Sequence, residues 1–136
     1  MVSDPGALAR AVKALAKAKV IEPYWSRMVS SMGIGNAYLY TRGGDNPKTS
    51  FRGRMYAPTD GIPEDPATGS ATALLAAQLL TSEGLGTGMH RWQLEQGYEM
   101  GRPSDLVLEA DVADAKLVAV RVAGQAVQIM SGVLEL

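Results

Sequence analysis

The sequence predicts an α+β domain in which a curved, mainly antiparallel, barrel-like sheet wraps one central apolar helix. Two observations carry this. Residues 71–80 read Ala-Thr-Ala-Leu-Leu-Ala-Ala-Gln-Leu-Leu, leaving only Thr72 and Gln78 polar, and a helix that is apolar on all sides has to be surrounded. In a chain of 136 residues, about one domain, the downstream half supplies short apolar runs split by turn residues, so strands are the elements available to wrap it.

In chain order, the first segment reads as a helix. Ser3 or Asp4 can cap it, Pro5 suits its first turn, and Leu8, Ala11, Val12 and Leu15 form one stripe. Lys13, Lys17 and Lys19 sit toward its C-terminal end, where cations oppose the macrodipole. The stripe is narrow and mostly alanine, which favours a packing helix over a membrane-surface one. Residues 20–34 fit neither period, with Pro23 and Gly33 as punctuation. Residues 36–41 and 50–56 read as a hairpin-like pair of strands around a turn of Gly, Asn, Asp and Pro. Gly53 inside the second marks a bulge or a close backbone approach. After the central helix, strands are expected over residues 90–96, 105–111, 116–122, 126–130 and 133–136.

Composition narrows the function class. Thirteen basic and 14 acidic side chains leave a net charge of -1, which favours neither a nucleic acid nor an anionic membrane as partner. No cysteine is present, so thiolate nucleophiles, two-thiol racemase mechanisms and thiolate metal sites are excluded. One histidine without cysteine gives no metal-ligand spacing. Asp4, Arg10, Lys13 and Lys17 interrupt any apolar leader, and no run could span a bilayer. A cytoplasmic location is expected.

The stretch with most chemistry is Glu64-Asp65-Pro66-Ala67-Thr68-Gly69-Ser70, an acid, a rigid turn and hydroxyls directly before the apolar helix. The unpaired N–H groups of a first helical turn cradle anions, and Gly69 lets a ligand approach the backbone. Thr68, Gly69 and Ser70 would thus hold a substrate carboxylate, while Asp65, fixed by Pro66, can accept or relay a proton. The competing reading is a plain helix cap. His90 follows Gly84, Gly86 and Gly88, but without a following Lys-Ser/Thr these glycines form a connection rather than a phosphate loop.

Four stretches carry a resemblance: Arg54-Met55-Tyr56-Ala57-Pro58; Gly-Ile-Pro-Glu-Asp-Pro-Ala-Thr-Gly-Ser-Ala from Gly61 to Ala71; Gln96-Gly97 with Gly101-Arg102-Pro103-Ser104; and Val122-Ala123-Gly124-Gln125-Ala126 before Gly132-Val133-Leu134. In this order they resemble the phenazine-biosynthesis-like (PhzF-like) isomerases, which share the diaminopimelate epimerase-like fold. The motifs run from about residue 35 to the end and match the C-terminal half of the family's usual length. The resemblance implies that residues 1–136 are one domain, equivalent to the C-terminal lobe of a two-lobe protein with its site between the lobes.

By the same resemblance, Asp65 and Ser70 match the family's cleft aspartate and serine. Thr68, Gly69 and Arg102 are expected to bind substrate, Arg102 by pairing with a carboxylate of the substrate or of the partner lobe. The implied chemistry is cofactor-independent isomerisation of a small unsaturated carboxylic acid. The family's proton-shuttling glutamate and supporting histidine belong to the other lobe and have no counterpart here, so His90 is assigned a structural place. A working site then needs a homodimer or a separately encoded N-terminal lobe, and the isolated chain is expected to be inactive. The alternative is a catalytically silent carboxylate-binding or interaction domain that lacks the base.

Overall fold

The computed structural model describes residues 5–135. Two helices, α1 (Pro5–Ala16) and α2 (Glu22–Met32), precede β1 (Ala37–Arg42) and β2 (Phe51–Ala57). A short strand, β3 (Ile62–Asp65), leads into α3 (Gly69–Glu83), and β4 (Gly88–Gln96), β5 (Ser104–Ala113) and β6 (Lys116–Gly124) follow. The strands form one sheet in the order β1-β2-β4-β5-β6, with β3 on β2. Among the described residues only β2 and β4 run parallel; the remaining pairs are antiparallel.

The sheet is α+β in class and mostly antiparallel, but it is open, so the barrel-like closure expected from the sequence is corrected. Its α3 face holds the core: Phe51, Leu94, Leu106, Leu108 and Ala110 meet Leu75, Ala76 and Leu79 of the helix. Alternation along β5 places Leu106, Leu108, Ala110 and Val112 inward and the residues between them outward. With five or more such side chains buried at about 1.5–3 kcal/mol each, this contact is the main source of cohesion.

Enclosure of α3 is incomplete. Ala71, Thr72, Leu75, Ala76 and Leu79 are buried, whereas Leu74 is 72 % exposed and Ala77 and Gln78 face solvent. The strands expected over residues 126–130 and 133–136 do not form among the described residues, and Val127, Ile129 and Val133 stand exposed; Leu136 lies outside the described residues. Their alternating pattern suits a strand, but a strand forms only where it pairs with a neighbouring edge, and this segment pairs with none among the described residues.

The opposite face of β1 and β2 is covered by α1, through buried Leu15. Ser3 and Asp4, the expected caps of α1, lie outside the described residues. The carbonyls at and just after the end of α1 are met from the sheet: Arg54 Nη1 donates to the oxygens of Leu15, Ala16 and Ala18 at 3.0, 3.1 and 3.0 Å, where the helix has run out of its own donors. Gly53 serves a close approach, as its place in a strand suggested: a Cβ there would collide with the ring and hydroxyl of Tyr38.

Candidate functional site

Residues 62–70 are positioned by strand alternation. Asp65 pairs with Met55 of β2, and the side chain before it, Glu64, turns to the α1 side and closes a two-pronged ion pair on Arg54 at 2.8 and 2.9 Å. Asp65 is thereby left at the N-terminal end of α3. Pro66 and Ala67 turn the chain, and Thr68 takes the N-cap position in extended geometry.

The Thr68 side chain makes no cap hydrogen bond. Its hydroxyl instead donates to Asp65 Oδ2 at 2.5 Å, and the first helical bond runs from Thr72 N–H to the Thr68 carbonyl at 3.0 Å. The N–H groups of Gly69 and Ser70 therefore have no acceptor among the described residues, and both residues are exposed. A capping arrangement would have used the hydroxyl on the Ser70 or Ala71 amide; here it serves the carboxylate, and the anion cradle stays open.

Beneath the turn lies Gln96, fully buried at the end of β4. Its Nε2 donates to the Asp65 carbonyl at 2.8 Å and to Thr68 Oγ1 at 2.9 Å, and its Oε1 accepts from Thr68 N–H at 3.3 Å. Gly97 follows at φ 77°, and a Cβ there would run into the carbonyl oxygens of Pro66 and Arg102. That contact seats the 101–104 loop against the Asp65 turn, with Arg102 N–H donating to the Gly97 carbonyl at 3.0 Å. A small cavity of about 160 Å³ opens between the two, lined by Ala67, Pro103, Ser104, Asp105, Leu106 and Gln125.

Asp65, Thr68, Gly69, Ser70 and Arg102, singled out from the sequence, thus gather at one end of the sheet. Arg102 is exposed and has no ion pair among the described residues. His90 does not join them: it sits six residues up β4 from Gln96, roughly 20 Å at strand rise, stacked on Trp92 with Nε2 2.7 Å from the Gly86 carbonyl. Among the described residues no group of three His, Cys, Asp or Glu could hold a metal ion, and no helix is long and apolar enough to cross a membrane. Sequence reasoning gave no role to Gln96. The available signal was a polar residue before a glycine, closing a strand that otherwise ends in core positions.

Behind the site a charged cluster fixes the strands. Arg52 is buried and donates to Glu95 at 2.9 Å, Asp45 at 3.0 Å and Glu99 at 2.9 Å. Burial disfavours its charge, but the three carboxylates outweigh that and hold its pKa above the ordinary value. Glu95, also fully buried, accepts from the N–H groups of Asp45 and Asn46 and from the Thr49 hydroxyl, each at 2.8 Å. Burial alone would raise its pKa; these donors and Arg52 lower it below the usual carboxylate value.

A family model described as phenazine biosynthesis-like protein matches residues 8–132, reaching back through both N-terminal helices, beyond the residue-35 limit of the sequence motifs. An uncharacterized isomerase of Mesorhizobium japonicum is 37 % identical over 113 residues, covering 81 % of this chain and 37 % of that protein. A trans-2,3-dihydro-3-hydroxyanthranilate isomerase of Pseudomonas aeruginosa is 37 % identical over 82 residues, covering 60 % of this chain and 29 % of that protein. Among solved structures, a Bacillus anthracis phenazine biosynthesis protein of the PhzF family superposes with a TM-score of 0.67 at 16 % identity, over 85 % of this chain and 42 % of that one, a likeness of fold. The chain spans less than half the length of these relatives.

Proposed function

The chain belongs to the phenazine biosynthesis-like protein family, and on that premise we propose that it forms the C-terminal lobe of a cofactor-independent isomerase that moves a proton on a small unsaturated carboxylic acid. The observation that carries this reading is the open N-terminus of α3 beside Asp65: two exposed amides without acceptors and a carboxylate held at the same turn. Gly69 and Ser70 bind the substrate carboxylate through their N–H groups, Arg102 pairs with it from the facing loop, and Asp65 accepts or relays the proton.

A base must come from across the cleft, from a second copy or from a separately encoded N-terminal lobe. Glu64 cannot serve, because both its oxygens are committed to Arg54. His90 is at the far end of β4. The same facts favour a second reading, in which the chain keeps the carboxylate cradle and has no catalytic partner.

The test is an assay on trans-2,3-dihydro-3-hydroxyanthranilate, the acid in the name of the Pseudomonas relative. The isolated chain should give no turnover, and addition of the complementary N-terminal half of a full-length relative should restore it, with Asp65→Asn abolishing it again. Turnover by the isolated chain that disappears in Asp65→Asn would place the base within this chain or a second copy of it and remove the need for a separate N-terminal lobe. Saturable acid binding with no turnover in any combination would decide for the binding module.

A further inference from the structure

The Asp65 turn leaves its polar groups no choice of partner. The Gln96 amide meets two backbone groups that each have a single role. The Asp65 carbonyl, which can only accept, lies 2.8 Å from Nε2, and the Thr68 N–H, which can only donate, lies 3.3 Å from Oε1. Together they decide which end of the amide is nitrogen. The second Nε2 hydrogen then falls on Thr68 Oγ1, 2.9 Å away. The threonine oxygen must accept there, so its one proton is left for Asp65 Oδ2 at 2.5 Å.

We propose that Gln96 is a positioning residue: acting through Thr68, it aims a hydroxyl proton at Asp65 Oδ2 and reserves Oδ1 for the proton of the reaction. This rests on the role given to Asp65 above. Oδ1 has no hydrogen bond among the described residues, and an oxygen already accepting a short hydroxyl bond is the less basic of the pair. When the base across the cleft hands on the proton it has taken from the substrate, the proton's bond to that base breaks and an O–H bond forms at Oδ1; reprotonation breaks this O–H bond as the electron pair held in the conjugated acid forms the new C–H bond. A neutral amide achieves this without adding a charge beside the carboxylate.

The role is read from spectra of the isotope-labelled 136-residue chain at constant pH, with no substrate. Thr68→Val should move the Asp65 carboxylate carbon resonance and shift one of the two Gln96 side-chain protons upfield. Gln96→Leu, which never touched the carboxylate, should also move the Asp65 carbon, and the double variant should move it no further than Thr68→Val alone. An Asp65 carbon that stays in place in a folded Gln96→Leu chain, or shifts that simply add, would overturn the proposal. Where Gln96→Leu does not fold, Thr68→Val decides alone: both Gln96 protons unmoved would overturn it. Coupled spectra in a chain that never supports turnover with any N-terminal half would uphold the positioning role and remove the isomerase reading; uncoupled spectra in an active assembly would do the reverse.

Discussion

Glu95 and Gln96 are consecutive residues of β4, both fully buried, and they secure opposite faces of the sheet by different chemistry. Glu95 points to the α1 side, where its charge gathers two backbone amides, a hydroxyl and Arg52. Gln96 points to the α3 side, where an uncharged amide holds the Asp65 turn. The charged clamp ties the 43–49 loop to the strands; the neutral one fixes a carboxylate without competing with it. A single strand can therefore carry a rigid ionic foundation and a chemically quiet support for the site, one residue apart.

The largest effect that can test this contrast is on the charged side. Arg52→Ala leaves Glu95 buried without its cation, and such a loss costs about 3–5 kcal/mol, which denaturant unfolding should show as a drop in midpoint or a failure to fold. A loss under about 1 kcal/mol would mean that the backbone donors suffice.

Next comes packing at Gly53, the residue of β2 paired with Gln96. Gly53→Ala should cost about 1–3 kcal/mol by forcing Tyr38 aside. The Tyr38 hydroxyl is buried with no hydrogen bond among the described residues, and burial raises its pKa. Tyr38→Phe should thus be nearly neutral, and adding it to Gly53→Ala should restore part of the loss. Additive costs would place the strain elsewhere.

Acid sensitivity distinguishes the clamps more finely. The Glu95 pKa is lowered in the fold, so its stabilisation is complete above the ordinary carboxylate value and disappears as pH falls through the lowered native value. Glu95→Gln should lower stability at neutral pH and flatten the acid limb of the stability profile, while Gln96 variants should leave the slope of that limb unchanged. A Glu95→Gln chain with the full acid limb would assign the limb to other carboxylates. The smallest effect is expected at Arg102→Ala, exposed and unpaired among the described residues, with a stability change within about 0.5 kcal/mol and a loss only in acid binding.

Much of the fold was legible because its strands alternate and its turns carry glycine: β1, β2, β4, β5 and β6 fall within one or two residues of their expected positions. β3 was not anticipated because its four residues, with Pro63 among them and Gly61 before them, are too few to show an alternating pattern. α2 was missed because Pro23, which begins that helix, reads equally as a break. Residues 126–130 and 133–136 were read as strands on local pattern alone, and pattern does not show whether a segment pairs with an edge. The site cluster was legible as a motif, but its support was not, since Gln96 lies 28 residues from Thr68 and only the sheet brings them together.

The most direct measurement titrates a small unsaturated carboxylic acid into the nitrogen-15-labelled chain and maps which amides move. Saturable shifts centred on Gly69 and Ser70, weakened by Arg102→Ala, are the expected result. Amides at Gly69 and Ser70 that stay in place, or movement concentrated near His90 at the far end of β4, would contradict an open anion cradle beside Asp65.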